Sequence, residues 1–411
     1  MKKAFLSTGL LIITLFVQGQ ILKKISDKVK NKVNATENKP VGDTAGVKKE
    51  EKNPVIETNK TDTTKKNEKA EPTVAGIKAY SKYDFVPGEK IIVFEDFMQD
   101  AVGDFPDKWN TNSAGETVTI EGKAGHWLKM TKHGVFMPDF IDSLPENFTL
   151  EFDLLVDQPA NSWGIFPVLA QLENRDKIQD WRSSNNFFAV NILPGDANNG
   201  ASYYERKKMG SLDQPPGIKI NGFADLTRPV HVAMWRQKER LRVYLNEDKT
   251  WDVPKAISLE AKLNAFLLFV QLKGDWNFYV GNLRLATGAP DTRNKILKEN
   301  KWVTHGILFD VNSDKIKPES YGSLKEMADI MKEFTDLKVK IVGHTDADGK
   351  DDTNLDLSKR RAASVKDMLA KEFGIDAGRM ETDGKGESEP IDNNTTPAGK
   401  ANNRRVEFIK I

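Results

Sequence analysis

The chain has 411 residues, enough for two to three domains, and its 61 basic and 60 acidic side chains leave a net charge of +1. So even a balance gives no global field for holding nucleic acid. There is no cysteine, which excludes disulfides, thiolate metal sites, a cysteine nucleophile and an N-terminal lipid-bearing cysteine.

Residues 1–19 read as an export signal. Lys2 and Lys3 open it, and 10–17 form a mostly apolar run too short to span a bilayer. Val17 and Gly19 are small enough for the −3 and −1 positions, which predicts cleavage before Gln20; the alternative is an uncleaved membrane anchor. Residues 20–76 carry no aromatic side chain and are rich in Lys, Thr, Asn and Glu. Such a stretch cannot bury enough apolar surface to offset its conformational entropy, so a disordered polar linker is expected. Within it Ile21, Leu22, Ile25, Val29 and Val33 recur at helical spacing. They suit a nascent helix in a tether or a short basic helix on a membrane surface or partner.

At Tyr80 the composition turns aromatic, and 77–289 is expected to be one all-β domain. Strand-like runs at 91–94, 127–131, 148–156, 187–193, 230–237, 241–246, 266–272 and 278–285 are split by turn residues. Leu241 to Leu245 alternates, as a strand with one wet face does. Phe266 to Val270 does not, which predicts burial on both sides. Strands at this density point to an antiparallel sandwich. The run from Val230 to Asn246 resembles the paired strands of laminin-G or concanavalin-A-like jelly rolls, which implies a jelly-roll sandwich. Some jelly rolls cut glycans with carboxylates placed on one strand face as E-x-D-x-E or E-x-D-x-x-E. Here Glu151 and Asp153 are followed by Leu155 and Val156, so the set is incomplete and the two acids read as a solvated strand face. His126, His133 and His231 stand singly, without metal-ligand spacing. Trp163, Trp181, Trp235 and Trp276 read mostly as core, with a sugar platform as the alternative.

Residues 290–302 form a polar connector ahead of a domain at 303–411. A strand at 303–309 and a helix at 318–334 are expected, the helix with Leu324, Met327, Ala328, Met331 and Phe334 at core spacing and Pro318 in its first turn. A β-branched run at 339–342 reads as a strand, followed by a polar loop with Gly349 and an amphipathic helix, and 405–411 as the last strand. On that helix Asn354, Ser358, Arg361 and Val365 share a stripe, with Leu357 and Met368 beside it. Arg361 thus borders the packed face, and Arg360 is turned about 100° away from it. Asp346 on the exit loop and Arg361 on the helix suit a zwitterion, the carboxylate for an ammonium and the guanidinium for a carboxylate. The plainer alternative is a surface ion pair. An EF-hand calcium loop from Asp346 would need Gly at its sixth position and Glu at its twelfth, which here are Asp351 and Leu357.

Gly343-His344-Thr345-Asp346, Gly349, Asn354, Leu357-Ser358, Arg361-Ala362 and Val365, with Phe309-Asp310 upstream and Asn403-Arg404-Arg405-Val406 at the close, resemble the OmpA-like C-terminal domain. That family is the non-covalent peptidoglycan-binding module of Gram-negative envelopes. The resemblance covers 303–411 and implies an α+β domain in which Asp346 and Arg361 hold the diaminopimelate of the stem peptide. Asn354, Leu357, Asp310, Thr345 and Arg405 complete the implied site. The order of domains, with Phe94-Glu-Asp-Phe97 and Trp109-Asn110, is similar to that of Bacteroidetes envelope proteins.

The expectation is a non-catalytic envelope protein, periplasmic or associated with the outer membrane. It binds peptidoglycan and needs no cofactor, metal or catalytic residue, and its sandwich presents a surface to a glycan or envelope protein. A wall or glycan hydrolase targeted by its C-terminal module is the alternative. A further one is an outer-membrane β-barrel over the middle region, opposed by Pro167, Pro229 and the wholly apolar Phe266 to Val270.

Overall fold

Asn147–Val156 alternates from Phe148 to Leu154, and its two faces meet different neighbours: Phe148, Leu150, Phe152 and Leu154 enter an apolar core, while Thr149, Glu151 and Asp153 point away from it. The computed structural model describes residues 83–159, 164–195, 200–207, 218–220, 225–272, 274–288 and 291–411. The export signal, the linker with its helix at 21–33, and Trp163 lie outside the described residues.

Two antiparallel sheets pack face to face. The larger runs in the order Asp248–Val253, Arg240–Leu245, Val230–Gln237, Asn147–Val156, Phe278–Thr287, His126–Met130, Gly115–Thr119, and Lys90–Glu95 also pairs with Phe278–Thr287. The smaller runs Trp109–Thr111, Gly134–Pro138, Ala265–Val270, Ile165–Ala170, Phe187–Ile192, Ala201–Arg206. The described strands do not close into one cylinder. Ala265–Val270 is buried on both faces, as its lack of alternation predicts. Phe266, Leu268 and Val270 meet the larger sheet, and Leu267 and Phe269 pack under Ile178 and Trp181. Ile165–Ala170 is a strand despite Pro167: its ladder with Phe187–Ile192 lapses at Phe166 and Pro167, where the missing N–H falls. Trp181, Trp235 and Trp276 are packed against protein rather than lined up as a platform.

The C-terminal part builds a four-stranded sheet in the order Lys301–Thr304, Val406–Lys410, Val339–His344, Met380–Gly386, with the last pair parallel. Its helices are α1 (Thr292–Lys298), α2 (Tyr321–Glu333), α3 (Asp351–Lys371) and α4 (Pro397–Asn403). The stretch expected as a polar connector thus holds α1, capped by the Asp291 carboxylate and anchored by Ile296. Leu324, Met327 and Met331 of α2 and Ala362, Val365 and Leu369 of α3 bury against Val339, Ile341 and Phe408 of the sheet.

Glu151, expected on a wet strand face, is covered by protein. Residues 83–88 and the C-terminal domain lie over the outward face of the larger sheet. Tyr83 and Phe85 pack on Tyr244 at 5.6 and 5.2 Å between ring centres, so Tyr244 is buried although it points away from the core. Phe85 also presses its backbone against Gly322 of α2, where any Cβ would collide. Asn402 of α4 exchanges two hydrogen bonds with the Ile91 backbone, at 3.0 and 2.9 Å. Arg284 donates to the His305 carbonyl at 3.1 Å. Packing, paired backbone groups and a buried charge therefore all join the two parts.

Candidate functional site

Helix α3 can lie directly on the sheet because Gly343 faces Ser358, and a Cβ at 343 would run into the Ser358 carbonyl. The Ser358 hydroxyl donates to Leu355 O and accepts from Gly386 N, at 2.8 and 2.9 Å, which fixes the helix rotation. Gly343→Ala is expected to push the helix outward and cost about 1–3 kcal/mol of stability, as overpacking does. Urea denaturation would measure it, and a change under about 0.5 kcal/mol would show that the helix seat is loose.

That seat puts Arg361 half-buried at the rim of the packed face. Its Nε donates to Ser313 O at 3.0 Å, and its guanidinium lies 4.9 Å from the Phe309 ring centre. Burial and the neighbouring Arg404 lower its pKa, Asp346 opposing them. Arg360 points to solvent, tied to Asp356 at 2.8 Å and Asp314 at 3.4 Å. Asp346 is buried at the start of the exit loop, where its Oδ1 accepts from Asp348 N at 3.2 Å and its Oδ2 from Arg404. Arg404 in turn lies 5.1 Å from the ring centre of Phe94, on the Lys90–Glu95 strand.

The other expected residues take several roles. Asn354 donates to Asp346 O, Asp348 O and Glu387, so it shapes the loop. Thr345 is buried, its N–H bonded to Gly386 O at 2.9 Å and its hydroxyl without a partner among the described residues. Leu357 is buried on α3. Asp310 closes a turn by accepting from Ser313 N at 3.1 Å, the turn that brings Ser313 O to Arg361. Arg405 is buried against Glu407 at 2.8 Å and donates to Glu389 O at 2.9 Å, so its guanidinium serves the protein interior. Arg404, Phe309 and Phe94 all lie in the quoted motifs, yet none is an expected site residue; a cation next to Arg405 on the other side of the chain is the signal that points to Arg404.

On the two-sheet side, His231 is not isolated. Its Nδ1 lies 2.8 Å from Asp153 and its Nε2 3.4 Å from Glu151, while Arg284 donates to Glu151 at 3.0 Å and Asn282 to Asp153 at 2.7 Å. Burial alone would lower the His231 pKa, but hydrogen bonds to both acids outweigh it and raise it to about 10. Burial would raise both carboxyls; Arg284 and His231 more than offset this at Glu151, and His231 and Asn282 at Asp153, so both are lowered. Among the described residues no three His, Asp or Glu side chains are arranged to hold a metal ion.

A cavity of about 230 Å³ lies along the seam, with Arg361, Arg404 and Lys317 on one wall and Phe94, Asp153 and Asn282 on the other. The OmpA family pattern matches residues 308–404. The chain is 44% identical over 101 residues to outer membrane porin F of Pseudomonas aeruginosa, a match covering 25% of this chain and 29% of that protein. It is 39% identical over 108 residues to the peptidoglycan-binding protein ArfA of Mycobacterium bovis, 26% of this chain and 33% of ArfA. The chain thus spans a third or less of these two relatives. Against the outer-membrane lipoprotein YfiB of Pseudomonas aeruginosa the identity is 36% over 116 residues, 28% of this chain and 68% of YfiB. Matched in pattern over 308–404 and to two thirds of YfiB, the chain belongs to the OmpA family.

Proposed function

We propose that this is an envelope protein that binds peptidoglycan reversibly, holding the diaminopimelate of the stem peptide between Arg361 and Asp346. One observation carries this reading. Arg361 is half-buried at a cavity with no carboxylate partner among the described residues, and Asp346 lies close enough to act on its charge. A partly desolvated guanidinium held by a carbonyl and an aromatic face is preorganised for a bidentate carboxylate. Asp346 keeps acceptor capacity beyond its bonds to Arg404 and Asp348 N for the ligand's ammonium. Similarity to the peptidoglycan-binding protein ArfA supports the ligand, and similarity to outer membrane porin F and the outer-membrane lipoprotein YfiB supports the envelope location.

We read the two-sheet part as a jelly-roll sandwich that presents a surface to a glycan or envelope protein. The hydrolase alternative finds no support at Glu151 and Asp153. A general acid needs a pKa raised toward neutrality, and these two are lowered and spent on His231, Arg284 and Asn282. The test is co-sedimentation of the full chain with purified diaminopimelate-type sacculi. Retention on the sacculi, released by free diaminopimelate tripeptide, is expected; a chain left in the supernatant would refute the function.

A further inference from the structure

The cavity at Arg361 has a second wall, and the charges around it do not cancel locally. Arg404 is matched by Asp346 and Arg405 by Glu407. Across the seam, two acids, Glu151 and Asp153, face two cations, Arg284 and the protonated His231, so that wall is neutral. What remains on the lining is Arg361 and Lys317 against Glu319 alone. Neither cation has a carboxylate partner among the described residues. Lys317 is half-buried, and Asp153, across from it, has both oxygens engaged by His231 and Asn282. The zwitterionic head of diaminopimelate brings a carboxylate to Arg361 and an ammonium to Asp346, so it adds no net charge. The lining keeps one uncancelled positive charge in a partly desolvated space, which favours a ligand with a second anionic group.

We propose that the seam cavity is a second subsite of the same site, in which Lys317 takes a further carboxylate of the peptide, with the outward face of the two-sheet domain as its far wall. This rests on the reading that Arg361 takes the diaminopimelate carboxylate. In a stem peptide the matching group is the free α-carboxylate of the γ-linked glutamate next to diaminopimelate. Phe94 belongs to that wall as a positioning residue: its ring lies against Arg404, which is bonded to Asp346. The subsite therefore exists only while the two domains stay docked.

The experiment is calorimetric titration of the full chain with two soluble muropeptides. Both carry a diaminopimelate tripeptide stem, one with the glutamate α-carboxylate free and the other with it amidated. Wild type is expected to prefer the free acid about tenfold, the loss of one charge-assisted hydrogen bond. Lys317→Gln should erase that preference while keeping the affinity for the amide form. Phe94→Ala should weaken both ligands alike, and Phe94→Tyr should restore them. Equal binding of acid and amide by wild type, or a preference that survives Lys317→Gln, would overturn the subsite. Unchanged binding by Phe94→Ala would remove the two-sheet domain from it. Arg361→Ala separates the two readings. If it abolishes binding while acid and amide bind wild type equally, the subsite fails and the diaminopimelate site stands; if wild type binds neither muropeptide, both fail.

Discussion

Replacing Glu151 with alanine is expected to cost about 3–5 kcal/mol of stability, because it leaves His231 and Arg284 facing each other in a buried seam without their shared anion. Glu151 is 2% exposed and bonded to Arg284, which also reaches across to His305 O. The variant should therefore loosen the contact between the domains as well as the sheet. Glu116→Ala is the control, since the Glu116–Lys129 pair at 2.8 Å is partly solvated and worth less than about 1 kcal/mol. Urea denaturation across pH gives a second reading. The His231 pKa is raised from 6.5 to about 10, so its contribution is complete below 6.5 and fades as pH rises through 10. The Glu151 and Asp153 pKa values are lowered from 4.5 and 3.8, so theirs is present above those values and fades as pH falls. The cluster should be strongest between about pH 4.5 and 6.5, and His231→Gln should flatten the alkaline decline. An alkaline limb that is the same in wild type and His231→Gln would show that this cluster does not set it.

Arg361→Ala is expected to weaken binding of the diaminopimelate tripeptide by 2–3 kcal/mol, or roughly 30–150-fold, because the ligand's carboxylate loses its charge-assisted partner. Arg360→Ala changes composition and net charge identically. Its side chain, however, points to solvent and pairs with Asp356 and Asp314, so a change of only a few tenths of a kcal/mol is expected. Asp346→Asn should lose a comparable amount and also leave Arg404 without its anion. Amidating the diaminopimelate carboxylate should reproduce the Arg361 loss in wild type and add little to it in Arg361→Ala. Equal sedimentation of folded Arg361→Ala and Arg360→Ala with sacculi would show that the site lies elsewhere.

The position of Arg361 was legible because helical periodicity fixes rotation about an axis, and the buried Ser358, Ala362 and Val365 leave it one place at the rim. Double burial of Ala265–Val270 was legible for the same kind of reason, since a missing alternation leaves no wet face. Alternation also shows which residues of Asn147–Val156 leave the core, but not what covers them. The partners of Glu151 and Asp153 are His231, Asn282 and Arg284, far along the chain, and the covering domain is farther still. Arg404 was hidden by a backbone detail. It sits at the C-cap of α4 with φ −75° and ψ 88°, which turns it toward Asp346, while Arg405 leads into the last strand and faces Glu407. The central strand Ile165–Ala170 is absent from the expected runs; a proline argues against a ladder, and here the ladder lapses at Pro167 on the Phe187–Ile192 side while the pairing with Ala265–Val270 continues.

The central claim is that a diaminopimelate zwitterion is what Arg361 and Asp346 hold. Calorimetric titration of the full chain with two tripeptides tests it most directly, one ending in meso-diaminopimelate and the other in lysine. The two differ by the single carboxylate that Arg361 is assigned. Saturable binding of the diaminopimelate peptide is predicted, with the lysine peptide at least about thirtyfold weaker, the lower end of the Arg361 loss. Equal affinity for the two peptides would contradict the account.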